Sequence, residues 1–220
     1  MPSKFIVRNF KENRTYHVYN KAISKDNIFL DVQDYRVFLF YLYIYTSPNE
    51  EVSAKYSDLP KRFRDKSLVS QINILAYCLM ADHFHLIIVQ LRKDSIPKLM
   101  KQVVNGYTSY FNHKYKHMGP VFAGRYKAVE VGVEDTLPDL TRYIHLEPVK
   151  RGLANSPKEY EWSSYNNYFG EKNNLRCDID PVLNKIGTLE KFVEYHADRI
   201  DYKRRQDQLK KVLIENPDIL

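Results

Sequence analysis

The chain has 220 residues, of which 44% are hydrophobic and 28% charged, with 7 Gly and 10 Pro; this composition supports a hydrophobic core and excludes disordered, collagen-like and low-complexity architectures. Two cysteines, Cys78 and Cys177, are too few for a disulfide framework, the charged start MPSKFIVRNFKENR lacks the apolar run of a secretion signal, and the longest apolar stretch, Val37 to Tyr45, is about half a membrane span, so a cytoplasmic protein away from the membrane is expected. The net charge of +7 is uneven, with 24 basic and 17 acidic side chains in residues 1–170 against 10 and 10 in residues 171–220, and a basic body points to a polyanionic partner, most simply nucleic acid.

Thr15 to Ile23 alternates as a first strand. Asp34 to Tyr45 is rich in aromatic residues, which favours a strand, but its period and the acidic residues at its start predict a helix begun near Asp31 or Asp34. Ser53 to Lys66 is polar and punctuated, and reads as a loop. Ile72 to Met80 and His83 to Gln90 are apolar on both faces and separated by Ala81-Asp82, which predicts a hairpin of two central strands. Ser95 to Tyr115 opens Ser-Ile-Pro, with Ser95 as N-cap, and places Ile96, Leu99, Met100, Val103, Val104, Tyr107 and Tyr110 on one helical stripe. After the break at Gly119-Pro120, Val121 to Val133 reads as a strand and Leu137 to Leu146 as an amphipathic helix ending at Pro148. Beyond Trp162 to Phe169 the composition turns polar, with a helical tail expected over Thr188 to Ile214. The order β, α, β, β, α, β, α predicts an α+β fold: a ferredoxin-like, split-βαβ antiparallel sheet with helices on one face, plus a helical C-terminal tail.

Three segments carry chemistry. In the strand HFHLIIVQ, His83 and His85 are two apart and project from the same face, a pairing that can chelate a divalent metal. On the last predicted helix, Tyr143 and Glu147 are four apart and share a face. If Glu147 completes the ligand set, the Tyr143 hydroxyl lies near any metal-bound substrate. A free phenol, with a pKa near 10, is about 0.1% ionised at neutral pH, so it attacks well only an electrophile polarised as a metal-bound phosphate is. Read without that context, Tyr143 is a helix-face aromatic packed on the sheet, as most of the 18 tyrosines must be. Asp82 reads as a turn residue that could also orient an imidazole. Tyr107, Tyr110 and Tyr115 read as packing, His145 points away from Tyr143, and His113, His117 and His196 carry no assignment.

LMADHFHLII, GPVFAGRYKA and TRYIHLEPVKRGL, in this order and spacing, resemble the HUH-type single-tyrosine transposases, and most closely their REP-associated tyrosine transposase branch. The resemblance spans about Arg14 to Phe169, where YEWSSYNNYF resembles the segment that closes the branch's core. It implies a catalytic domain at residues 1–169 and a helical extension at 170–220. It further implies that His83 and His85 bind Mg²⁺ or Mn²⁺, that Tyr143 is the nucleophile, and that Glu147 stands where the third ligand is commonly Asn or Gln. The implied activity is cleavage and rejoining of single-stranded DNA, often beside a hairpin, by a homodimer. It proceeds through a 5′-phosphotyrosine and a free 3′-hydroxyl, without a nucleotide cofactor, in the bacterial cytoplasm at the nucleoid. Arg125 and Lys127, read as sharing a strand face, and Lys150 and Arg151 after the helix are candidates for holding DNA phosphates. Two rival readings need no Tyr143 hydroxyl: a non-catalytic single-strand-binding module whose tyrosines stack on bases, and an iron oxygenase with a two-histidine, one-carboxylate ligand set.

Overall fold

The computed structural model describes residues 7, 9–23, 26–132, 136–170 and 175–198. Strands β1 (Arg14–Lys21), β2 (Ile72–Met80), β3 (His83–Gln90) and β4 (Lys127–Glu130) form one antiparallel sheet in the order β2-β3-β1-β4. The helices are α1 (Val32–Thr46), α2 (Asn49–Lys55), α3 (Lys61–Arg64), α4 (Ser95–Tyr115), α5 (Thr136–Lys150), α6 (Asp180–Ile186) and α7 (Leu189–Ala197). This is the expected α+β, ferredoxin-like order, with two short helices inside the segment read as a loop.

Each helix has a local cause. α1 starts at a reciprocal cap: Asp31 Oδ1 accepts from the Asp34 amide (3.2 Å), and Asp34 Oδ2 accepts from the Asp31 amide (3.1 Å). In α4, Ser95 is the first helical residue and not the cap; Asp94 precedes it in the left-handed region, and the Ile96 amide donates to Gln90 Oε1 (3.1 Å). α5 runs through Pro148 to Lys150, beyond the expected stop at Pro148, because a proline in the last turn removes only one helical donor. The Arg151 amide still reaches the Glu147 carbonyl (3.0 Å), so Glu147 stays helical.

The fourth strand is shorter than expected, because Gly124 adopts a positive φ and interrupts the pairing: Lys127–Glu130 pairs with β1, while Phe122 forms an isolated bridge to Ala22. The part of that segment at residue 133 lies outside the described residues, as does the expected tail helix beyond residue 198. β2 is an edge strand, yet it is apolar along its length because residues 162–164 and 178 bond to its free edge: the Ser164 amide donates to the Tyr77 carbonyl, the Leu79 amide to Trp162, and the Asp178 amide to Ile74. A bulge between Ile74 and Ala76 shifts the alternation, so Ile74, Tyr77 and Leu79 face one layer while Leu75, Ala76, Cys78 and Met80 face the other.

Two cores result. On one face α1 and α4 cover Tyr16, Val18, Phe84, Leu86 and Ile88. Gly106 of α4 faces α1: a Cβ there would sit 2.8 Å from the Tyr41 ring. The expected single helical face holds for this pair. α5 lies on the opposite face, over Leu75, Ala76, Cys78, Met80 and Ile87, and α7 extends the same layer with Phe192, fully buried among Tyr165, Tyr168 and His145. No described helix is long and apolar enough to cross a membrane.

Candidate metal centre and active site

The site follows from strand alternation and helical period. β3 begins directly after the Ala81-Asp82 turn, so Phe84, Leu86 and Ile88 enter the α1–α4 core while His83, His85 and Ile87 turn toward α5. α5 crosses that face with Leu137, Leu140, Tyr143, Ile144 and Glu147 buried. Tyr143 stands edge-on to His85, with ring centroids 6.2 Å apart. One turn on, the Glu147 carboxylate fits between the two imidazoles: Oε1 is 3.1 Å from His83 Nε2 and Oε2 is 3.0 Å from His85 Nε2. The expected trio of His83, His85 and Glu147 is thus brought together, all three buried, with one ligand-capable atom from each within 4.8 Å of the others.

The electrostatics are those of a carboxylate enclosed by positive or polarisable partners. Burial alone would raise the Glu147 pKa, but His85 and His83 outweigh it and hold the carboxyl far below the usual range. Burial likewise opposes protonation of His83, yet the hydrogen bonds it donates to Asp82 and Glu147 raise its pKa overall. Burial wins at His85, whose pKa is lowered despite Glu147. Asp82, held low by its bond to His83, sits 2.6 Å from His83 Nδ1 and is therefore the partner that turns His83 Nε2 toward Glu147. Arg151 spans the two carboxylates, 3.3 Å from Glu147 Oε1 and 3.7 Å from Asp82 Oδ2.

These residues fit a divalent cation. Ligands about 2.1 Å from an octahedral ion stand about 3 Å from one another, close to the 3.0 and 3.1 Å between Glu147 and the imidazoles. His85 Nε2 and Glu147 Oε2, though 3.0 Å apart, are both buried without a well-formed hydrogen bond. Two such atoms aimed at one region are costly in a core unless something else binds them.

Beside the imidazoles opens a cavity of about 270 Å³ lined by Tyr19, Asn20, Lys21, Asp82, His83, His85, Ala123, Lys127 and Arg151. Of the four basic candidates, Lys127 and Arg151 line it. Lys150 lies instead with its ammonium 4.6 Å over the Tyr143 ring. Arg125 precedes β4 and so does not share a strand face with Lys127; it is exposed, 5.4 Å over the Tyr126 ring. Lys21 was not legible as a site residue, since its place comes from the pairing of β1 with β3, where Lys21 stands opposite His83. His17 was missed too: it lies on β1 with Nε2 2.8 Å from His85 Nδ1. Its local signal is only a polar side chain between Tyr16 and Val18 in the strand segment TYHVY. His196, left unassigned, is buried, its Nε2 3.3 Å from His145 Nδ1 and its Nδ1 2.8 Å from the Phe192 carbonyl.

No curated protein matches the chain. A solved structure described as "Structure of the REP associates tyrosine transposase bound to a REP hairpin" is similar over 79% of this chain and 91% of that chain, with a TM-score of 0.50 at 13% sequence identity, a likeness of fold. The family described as "Transposase IS200 like" matches residues 38–147, half of the chain, from α1 through β2, β3 and α4 to Glu147. The chain belongs to the IS200-like transposase family.

Proposed function

We propose that the protein is a metal-dependent endonuclease and strand transferase of single-stranded DNA, of the REP-associated branch, with His83, His85 and Glu147 as metal ligands and Tyr143 as nucleophile. The observation that carries this reading is that α5 brings Tyr143 and Glu147, one turn apart, onto the sheet face where His83 and His85 stand. In the proposed step the Tyr143 Oη attacks a backbone phosphorus. The Oη–P bond forms, the P–O3′ bond breaks, the phenolic proton is released, and the departing oxygen takes up a proton to become a 3′-hydroxyl. The reverse reaction rejoins a strand with no external energy source, because the phosphodiester bond is exchanged and not hydrolysed. When bound, a divalent cation supplies positive charge to a phosphate oxygen and stabilises the departing oxygen. Two imidazoles beside one carboxylate favour Mn²⁺ over Mg²⁺, which prefers an all-oxygen shell.

Lys21, Lys127 and Arg151 supply positive charge around the cavity beside the imidazoles, and Lys150 supplies it next to Tyr143; these are the groups proposed to hold the DNA backbone, with Arg125 at the periphery. A DNA hairpin and a second copy of the chain are the proposed partners, and residues 1–169 the catalytic domain with 170–220 as its extension. The test is incubation with labelled single-stranded DNA containing a hairpin, across a Mn²⁺ titration, on a gel that separates free DNA from a covalent DNA–protein adduct. Tyr143→Phe keeps the ring and its packing, so it abolishes the adduct while DNA and Mn²⁺ binding persist. An adduct that survives in Tyr143→Phe assigns the nucleophile to another tyrosine. Wild type that binds DNA and Mn²⁺ without forming an adduct supports the binding-module reading instead.

A further inference from the structure

The geometry points to His17 as a positioning residue that fixes the tautomer and ring plane of His85; this rests on the proposed metal site. His17 is 2% exposed and His85 fully buried. Their rings stack, with centroids 5.0 Å apart and planes at 21°, and His17 Nε2 is 2.8 Å from His85 Nδ1. One hydrogen must lie between those two nitrogens, and which ring owns it decides what His85 can do.

His85 offers an electron pair at Nε2 only if its hydrogen is on Nδ1. That arrangement makes His85 Nδ1–H the donor and His17 Nε2 the acceptor. On the other side of His85, Nε2 lies 3.0 Å from Glu147 Oε2 without the alignment of an N–H···O bond, a geometry that suits a shared cation between them. His17 then carries its own hydrogen on Nδ1, and among the described residues that buried atom has no hydrogen-bond partner. As core filler, then, His17 is a poor choice, since a phenylalanine would occupy the strand position without an unpartnered nitrogen. What His17 alone contributes is an acceptor for His85.

His83 has the equivalent support in Asp82, whose Oδ1 is 2.6 Å from His83 Nδ1. The two ligand histidines are thus held by different partners. His83 is held by a carboxylate from the turn, and His85 by a neutral imidazole from the neighbouring strand. A neutral acceptor orients His85 without adding negative charge to a site that already holds Asp82 and Glu147. Tyr19, two residues on along the same strand face, packs its ring 4.9 Å from His17 and 6.1 Å from His85 and keeps the stack in place.

The full-length protein labelled with ¹⁵N-histidine, free of metal at alkaline pH, reports the tautomer of His85 through long-range ¹H–¹⁵N correlations. The Nδ1–H form is expected, and an Nε2–H form overturns the inference. Mn²⁺ affinity, read from the free-ion electron paramagnetic resonance signal, is then compared for His17→Phe and His17→Gln. Phenylalanine keeps a ring but removes the acceptor, and about a tenfold loss of affinity is expected, as for lost partners of other metal ligands. Glutamine restores an acceptor near the Nε2 position and should bind within about threefold of wild type. Equal affinity of wild type and His17→Phe overturns the inference, and so does a His17→Gln variant that folds yet binds no better than His17→Phe. If His17→Phe does not fold, the wild-type tautomer and the His17→Gln affinity decide the matter. Wild type that fails to bind Mn²⁺ sinks the metal site itself, whereas the tautomer measurement judges the His17–His85 pair separately.

Discussion

On the α1–α4 side of the sheet, Phe38 packs against Phe84, Phe29 and Tyr107, and the buried carboxylate of Asp34 is fully enclosed by donors. The Leu30 and Asp31 amides, the Tyr110 and Tyr115 hydroxyls and the Lys114 ammonium all reach it within 3.1 Å. Burial opposes its charge, but these partners hold its pKa below the usual range. On the α5 side stand the buried histidines, His17, His83, His85, His145 and His196, together with Glu147, which keeps one oxygen without a hydrogen bond. Both faces bury a carboxylate, but only one satisfies it from the chain. A closed set of donors makes Asp34 a structural joint between α1 and α4, whereas the open position at Glu147 is what the proposed metal site requires.

The largest effects test whether the second face is core at all. Phe192→Ala in α7 should destabilise the protein by about 3–5 kcal/mol, as much as Phe38→Ala on the other face, because both rings are fully buried. Chemical denaturation of the two variants checks this; a Phe192→Ala cost below about 1 kcal/mol would make the tail an appendage laid on a finished domain.

The two carboxylates should then separate stability from binding. Asp34→Ala removes the acceptor of two backbone amides and of the Tyr110 hydroxyl and leaves Asp31 as the carboxylate for Lys114 and Tyr115, and should cost about 3 kcal/mol with Mn²⁺ affinity unchanged. Glu147→Ala should reverse the pattern, weakening Mn²⁺ binding by more than tenfold while the metal-free melting temperature moves less than for Asp34→Ala. Glu147→Gln keeps an oxygen ligand and should fall between Glu147→Ala and wild type in affinity. Titration calorimetry and thermal melts on the same samples give both readings, and an Asp34→Ala variant that loses metal would erase the distinction between the faces.

What could be read in advance follows the same division. The hairpin of β2 and β3, the α4 stripe and the i, i+4 pair Tyr143–Glu147 are local patterns, and each was legible because strand and helix periods act within a few residues. His17 and Lys21 belong to the site only through the register of β1 against β3, which sets Tyr19 opposite His85 and lets the His17 side chain reach His85 across 68 residues of chain. His196 lies in a polar stretch and is buried only because α7 folds back on α5, where Arg142 donates to the Tyr195 carbonyl (2.9 Å) and stacks on its ring. α2 and α3 are too short for a period to declare them, and the extent of α5 depended on whether Pro148 sits in a last turn or a middle one.

The histidines give the second face a pH response of its own. Burial lowers the pKa of His145 well below its ordinary value and brings His196 to about 3. Both stay neutral in the folded protein while the unfolded chain takes up protons below about 6.5. Their contribution is therefore complete above that pH and is lost as pH falls toward the folded values. His83, with a raised pKa, acts in the opposite sense, since its contribution is present at low pH and lost as pH rises. His196→Phe removes one neutral-buried group, so the slope of unfolding free energy between pH 6 and 5 should become shallower by about 1 kcal/mol per pH unit. An unaltered slope in His196→Phe would mean that the group does not stay neutral in the fold.

The smallest expected effect concerns the DNA. If the α5 side of the sheet carries the strand, a lysine lining the cavity should count in the salt dependence of binding and a lysine on α4 should not. Lys127 lines that cavity, and Lys101 is exposed on α4, the helix over the opposite face. For single strands the logarithm of the binding constant falls with the logarithm of salt by about 0.7 for each phosphate neutralised. Lys127→Gln should therefore reduce that slope by about 0.7 and weaken binding a few-fold at low salt, while Lys101→Gln changes neither. The measurement is a fluorescence-anisotropy titration of one single-stranded oligonucleotide at several salt concentrations, with Tyr143→Phe as background so that no covalent adduct forms. Equal slopes for Lys127→Gln and wild type would remove Lys127 from the phosphate path. A lower slope for Lys101→Gln would place DNA on the α1–α4 side, where Asp34 and its donors leave no open chemistry, and would divide binding from cleavage between the two faces.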